Sequence, residues 1–384
     1  MGEVIIPRRD RQRPAFAEFL SGPDFKAAVE AFVDASALHS FGRAREWNAS
    51  AQKIVVSSQD SASMIYAWQD GETLYWYSES SVAYLNEDSA TMFQDFPYTY
   101  ESGGSTLRND VFSFGFEGIS AARAVDMSEF FRGSNINSVP FPQGWDMRRA
   151  TTIENMFRGC YTLGAAGLHL NVRTSSSLSS ADSLFMDCRS LRSAKISCDL
   201  SGLTSLRNWF RGDSGLRSFD FTDADLSAVT NMPSMLEGCL ALTSVDMQEA
   251  GLSGVRPQGD SMFRSCTSLK RVKFQEYTAT ASLAFGSDMF RNCAALTEAD
   301  FSRIAVSGSG SLKASDRMFS GCSALSVVYT SDDWAGGSAR DVFTECPIVG
   351  GAGTAFDPEH TDGEYARIDN RPTQPGYFTY KART

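Results

Sequence analysis

Eight cysteines and three histidines are the residues of this 384-residue sequence best suited to redox, metal or nucleophilic chemistry. His39, His169 and His360 stand in no motif that pairs them with a Ser or Cys nucleophile, neither G-x-S-x-G nor a cysteine-protease signature. His360, in DPEHTD, is weighed as a metal ligand against a solvated loop position, and the loop is the simpler expectation. GGAGT from Gly350 is too short for a phosphate loop, and no helix-forming run follows it. Asp220, Asp223 and Asp225 form an acidic cluster of calcium-binding type, but the glycine and closing Glu of an EF-hand loop are missing. Without a pocket, no carboxylate is assigned an acid or base role. The expectation is a protein that is not an enzyme and uses no cofactor or metal.

The cysteines are informative through their spacing. Seven fall in one pattern, a Met- or aromatic-rich pair, two small or polar residues, Cys, two more residues and an aliphatic one. The copies are MFRGCYTL from Met156, LFMDCRSL from Leu184, MLEGCLAL from Met235, MFRSCTSL from Met262, MFRNCAAL from Met289, MFSGCSAL from Met318 and VFTECPIV from Val342. WFRGDSGL from Trp209 carries Asp213 in place of the cysteine, and FFRGSNI from Phe130 is shortened. The second residues of the pairs stand at 131, 157, 185, 210, 236, 263, 290, 319 and 343, in steps of 24 to 29. A fixed period of that size marks a solenoid whose units need neighbours to bury their apolar faces.

After each cysteine the chain alternates, as in LRSFDF from Leu216, LTSVDM from Leu242, LKRVKF from Leu269 and LTEADF from Leu296. This predicts one strand per coil, and strands one coil apart run parallel at a spacing of about 4.8 Å. Clusters such as TDADLSAVTN turn the chain back, and the MF segment is expected as a short helical turn with Met, Phe and Cys inward. Equivalent side chains on stacked coils stay near the strand spacing and do not converge to the roughly 3.5–4.5 Å between Cβ atoms that a disulfide needs. Zinc sites usually draw on close pairs such as C-x-x-C. A buried, reduced column used as small apolar filler is therefore expected, with Cys198, off the register, the most reactive.

The repeated MF-x-G-C-x-x-L and short strand, with LSAVTNMPSMLEGCLALTSVDM near consensus, resemble the BspA-like leucine-rich repeat family of bacterial surface proteins. Ile65–Phe93 looks like that family's entry segment and Cys346–Thr379 like its closing segment, so the resemblance covers roughly residues 62–380. It implies a leucine-rich-repeat-type solenoid, α/β or mainly β, with caps at both ends. The expected organisation is a leader (1–50) with one amphipathic helix from Pro23 (Phe25, Val29, Phe32 and Val33 on one face), an N-terminal cap (51–127), the array (128–345) and a C-terminal cap (346–384). The leader matches nothing in the family, and residues 94–127 hold an irregular insertion.

The outward column of the sheet is expected to read Lys195, Asp220, Asp246, Lys273, Asp300 and Tyr329, flanked by Arg271, Glu298 and Trp334. Its plain reading is a solvated face of cross-strand pairs, and its functional reading is a surface for a protein or glycan partner. The resemblance implies a non-enzymatic adhesin contacting host or bacterial surface molecules. A phage tail component attached through residues 1–50 is the alternative, and a cell-wall hydrolase is a distant third. With 35 basic and 46 acidic residues, the net charge of -11 opposes a general role on nucleic acid or anionic lipid, although a local basic patch is compatible with it. No apolar run approaches the roughly 18 residues of a membrane span, and the basic start has no apolar stretch of signal-peptide type behind it. The surface location is thus an implication of the resemblance alone.

Overall fold

The computed structural model describes residues 16–96, 111–252, 259–274, 277–278, 286–305, 315–334, 338–370 and 373–382. The N-terminal part comprises β1 (Ala17–Glu18), helix α1 (Gly22–Glu30), β2 (Ser40–Arg43), β3 (Ile54–Val55), β4 (Tyr66–Asp70), β5 (Thr73–Tyr77), β6 (Ala83–Tyr84), β7 (Ser113–Phe114) and β8 (Ile119–Ser120). β4 and β5 form an antiparallel hairpin, with Gly71 at φ +55° in its turn. β2 pairs with β5 and β1 with β6, so residues 16–43 are woven into the same sheets as the segment that follows them. Residues 1–15 of the expected leader and 97–110 of the insertion lie outside the described residues.

The helix is shorter than the sequence pattern predicts. Ser21 caps it by accepting from the Asp24 amide at 3.3 Å, and Phe25 and Val29 are buried. It stops at Glu30, and the chain then turns. Asp34 Oδ1 accepts from the Ser36 amide, and the Gln69 side chain accepts from the Asp34 amide at 2.7 Å, so side chains take over main-chain bonding that a helix would need. Phe32 and Val33 are consequently only half-buried, and Phe41 enters the core from β2.

The array continues through β9 (Trp145–Asp146), β10 (Leu168–Arg173), β11 (Ser193–Ser197), β12 (Ser218–Asp220), β13 (Ser244–Asp246), β14 (Arg271–Lys273), β15 (Tyr277–Thr278), β16 (Glu298–Asp300), β17 (Ile304–Ala305), β18 (Val327–Thr330) and β19 (Thr379–Tyr380). Parallel pairing joins β9 to β12 in order, and separately β13, β14, β16, β18 and β19. The closing segment thus adds a strand to the sheet, with Tyr377 and Phe378 buried behind it. Pro372 of that segment lies outside the described residues.

Opposite the sheet, the MF segments are not helical. Residues two before the pair's second member have positive φ at Thr91, Glu129, Asn155, Ser183, Asn208, Ser234, Ser261, Asp288, Arg317 and Asp341. Residues two after it do so at Asp95, Gly133, Gly159, Asp187, Gly212, Gly238, Ser265, Asn292, Gly321 and Glu345. Met92 and Phe93 therefore open the series one coil earlier than the cysteine pattern indicates. A left-handed residue other than glycine costs roughly 1–2 kcal/mol. What offsets it is visible in the main chain: the amides at these positions and of the residue midway between them donate to the next coil. In one coil Asn155, Phe157 and Gly159 bond to Asp182, Leu184 and Met186 at 2.9, 3.0 and 2.8 Å, and the pattern repeats from Phe93 to Phe319.

The interior is a set of columns. Phe93, Phe131, Phe157, Phe185 and Phe210 stack at 5.5–5.9 Å between centroids. Leu236 interrupts the stack, which resumes over Phe263, Phe290, Phe319 and Phe343 at 5.2–5.9 Å. All eight cysteines are free and buried. They are more than filler: Cys188 Sγ donates to the Phe157 carbonyl of the preceding coil at 3.0 Å, and Cys160, Cys239, Cys266, Cys293 and Cys322 do likewise at 3.0–3.1 Å. Burial pushes the thiols up, that of Cys198 to about 12, and Cys198 is the most accessible of a buried set, at 7% exposure against 0% for the other seven. Asp213 occupies one cysteine position, fully buried, with Oδ1 accepting from the Cys188 amide at 2.7 Å and Oδ2 without a partner. Burial raises its pKa well above the carboxylate range, against the Cys188 amide bond and assisted by Asp187.

Three outcomes follow from this packing. Phe263→Ala should lower unfolding stability by about 3–5 kcal/mol in denaturant titration, since it empties a ring position between stacked coils. Thiol titration should find the native protein nearly unreactive and all eight thiols free on unfolding without reductant. Asp213→Cys should stabilise the fold at pH 7 by roughly 1–3 kcal/mol, by removing an unsatisfied buried oxygen. Because the folded pKa of Asp213 is raised, the wild-type handicap is absent below the unfolded value near 4 and grows as pH rises above it. The ionisation-linked part of the variant's advantage should vanish in melts at about pH 3, leaving only the part that comes from the unpartnered oxygen.

Candidate functional site

The sheet's outward positions follow from strand alternation, and the register sets their neighbours. Lys195 lies beside Asp220, Asp246 beside Lys273, Lys273 beside Asp300 and Asp300 beside Tyr329, while Arg271 lies beside Glu298. Much of this column is internally paired. Lys273 Nζ meets Asp246 Oδ2 at 2.7 Å, and Lys195 Nζ meets Asp223 at 2.7 Å and Asp220 at 3.7 Å. Lys381, from beyond β19, pairs with Asp300 and sits 4.9 Å from the Tyr329 ring. Burial works against ionisation of Asp246, but Lys273 and the amides of Glu249 and Gln248 outweigh it and hold the carboxyl below its ordinary range. These pairs support the plain reading of the column as a charge-stitched face.

Trp334 does not belong to that face. It is fully buried, edge-on to Phe301 and Phe378 at 4.9 Å each, and helps close the array's core. Its place after the last array strand made it look like a surface aromatic, whereas the chain folds inward there to meet the closing segment. The three aspartates weighed as a calcium site are engaged locally. Asp220 accepts from the Thr222 amide and hydroxyl, Asp223 holds Lys195, and Asp225 accepts from the Ser227 amide. Among the histidines, His360 stacks on Tyr365 at 4.5 Å, and His169 Nε2 lies 2.8 Å from Ser197 Oγ.

What the column did not foretell is a break in the sheet between β12 and β13. Ladder bonds approach it from both sides: the Arg217 amide donates to the Arg192 carbonyl at 2.9 Å and the Lys270 amide to Thr243 at 2.8 Å. No ladder joins the two strands themselves. The cause is local. At the position of Phe221, the Met247 and Phe301 amides reach the carbonyls of Lys273 and Tyr329 on the next coil. Here the matching carbonyl, of Asp246, is taken by the Ala250 amide in a tight turn, and Phe221 donates to Ala250 instead at 2.9 Å. The Asp246 carboxylate fixes that turn by accepting from the amides of Gln248 and Glu249. Gly251 allows it to lie against β12, since its φ is +78° and an added Cβ would stand 2.4 Å from the Phe221 carbonyl carbon.

The break opens a cleft of about 440 Å³ on the outward face. Its walls are Arg217, Ser218 and Phe219 on one side and Ser244, Val245 and Asp246 on the other, with Arg271, Lys273, Glu298 and Asp300 along the rim. Five predicted residues, Asp246, Arg271, Lys273, Glu298 and Asp300, are thereby brought together. Lys195, Asp220 and Tyr329 lie on the same face outside the cleft lining. Arg217, Ser218, Phe219 and Ser244 were missed, and the coil length gives no signal for them, since Met247 stands as far from the next Met-Phe pair as Phe274 does. Main-chain bonds bound the cleft at both ends, Ala241 to Ser214 at 3.1 Å and Phe221 to Ala250.

Residues 179–326 match the BspA type leucine rich repeat region in six copies. No curated protein matches the chain. A leucine-rich repeat protein from Eubacterium ventriosum ATCC 27560 is similar at 15% identity and a TM-score of 0.34, over 70% of this chain and 71% of that one. A leucine rich cell surface protein from Faecalibacterium prausnitzii A2-165 is similar at 13% and 0.34, over 80% and 73%. At these scores neither likeness carries an argument. The repeats, the stacked coils and the parallel strands agree, and residues 179–326 are a BspA-type leucine-rich repeat region within a leucine-rich-repeat solenoid.

Proposed function

We propose that the chain is a non-enzymatic recognition protein that binds a partner protein along the outward sheet face, working at a bacterial cell surface. The observation that carries the reading is the cleft, where two strands of an otherwise laddered sheet part and seven charged residues gather. A repeat array presents such a face over many coils, and residues from separate repeats act together on one ligand. Recognition is assigned to the array (128–345), through Lys195, Asp220, Asp246, Arg271, Lys273, Asp300 and Tyr329, and closure to the segments on either side. The surface location rests on the repeat type, whose family acts there.

Capture from panels of host matrix proteins and bacterial surface proteins, followed by affinity measurement, tests the reading. Lys273→Glu and Tyr329→Ala should each weaken a captured partner by tenfold or more. Full affinity in both variants would remove the sheet face as the binding surface.

A further inference from the structure

Resting on that reading, we infer that the cleft between β12 and β13 accepts an extended acidic segment of a partner polypeptide. Two observations combine. The facing edges of β12 and β13 have no ladder between them among the described residues, and strand edges are completed by the main chain of another segment. The cleft volume is within the roughly 300–1,000 Å³ usual for ligand pockets.

The second observation is charge. Arg192 and Arg217 stand on adjacent coils at the start of β11 and β12, joined by the 2.9 Å main-chain bond, and Lys270 and Arg271 open β14 beyond the gap. All four are exposed, and none makes a side-chain ion pair among the described residues. This basic end contrasts with the net charge of -11 for the chain. The cleft lining also holds four acidic side chains, two of them already neutralised by lysines. Asp246 is held by Lys273 and Asp300 by Lys381, Glu249 belongs to the turn at the far end, and Glu298 flanks Arg271. Carboxylates of an incoming segment would meet Arg217 and Arg271 while its backbone faces the strand edges and its apolar stems reach Phe219 and Val245, the floor residues left 8% and 6% exposed. Guanidinium groups favour carboxylates through paired N–H donors, which makes arginine the suited residue at this rim.

Fluorescence anisotropy on the full chain tests this with four labelled probes: an eight-residue peptide with Asp or Glu at alternate positions, its Asn/Gln counterpart, an N-methylated acidic version, and a uronic-acid oligosaccharide of equal charge. The acidic peptide should bind, and the neutral and N-methylated peptides at least tenfold more weakly. Arg217→Glu and Arg271→Glu should each cost tenfold or more, while Arg207→Glu, outside the cleft lining, should change little. Equal binding of the neutral peptide, or indifference to Arg217→Glu, overturns the inference. Binding of the oligosaccharide but not the peptide also overturns it and assigns the cleft to a glycan. A captured protein that remains sensitive to Lys273→Glu while no acidic probe binds defeats this inference and leaves the recognition reading standing.

Discussion

The structure depends on one interaction, the main-chain bond that each turn residue makes to the coil after it. A solenoid coil of 24 to 29 residues cannot bury its own apolar face. Here the coils are fastened on two sides. The sheet ladder is one fastening, and the turn ladder, built from paired left-handed residues, is the other. The turn ladder runs without interruption from Phe93 to Phe319, including the step from Phe210 to Met235 where the sheet ladder fails. That continuity lets the sheet part locally while the stack stays whole.

The period, the inward Met, Phe and Cys, and the register of the outward column on either side of the break were legible in the sequence, because burial repeats with the coil. The turn geometry was not. Half of the residues two after the pair are glycine, which hints at positive φ, but those two before it are mostly Ser, Asn, Asp, Glu or Arg. Their conformation is imposed by inter-coil bonds, a tertiary effect that local composition does not carry. The thiol contacts were hidden similarly, since a cysteine looks like filler until the carbonyl above it is in place. Trp334 and the end of α1 were misjudged because partners distant in sequence, Phe378 and Gln69, determine them. The break between β12 and β13 depends on which amide takes one carbonyl, a choice the hydrophobic pattern does not record.

One coil concentrates the irregularities. The repeat carrying Phe210 has Trp209 for Met and Asp213 for Cys, its strand pairs on one side, and the ring stack ends with it, Leu236 following on the next coil. Aromatic and thiol columns that agree elsewhere are relaxed where the outward face opens. Local inconsistency in an otherwise regular array is where function is expected to reside.

Native-state hydrogen exchange, resolved by residue, tests the central claim that the coils are fastened continuously at the turns and parted at the β12–β13 step of the sheet. The amides of Phe210, Leu236 and Phe263 should exchange only as slowly as global unfolding allows, and those facing the gap in residues 217–220 and 243–246 much faster. Equal, full protection on both sides of the gap would mean that the sheet is closed there and that the cleft does not exist in solution.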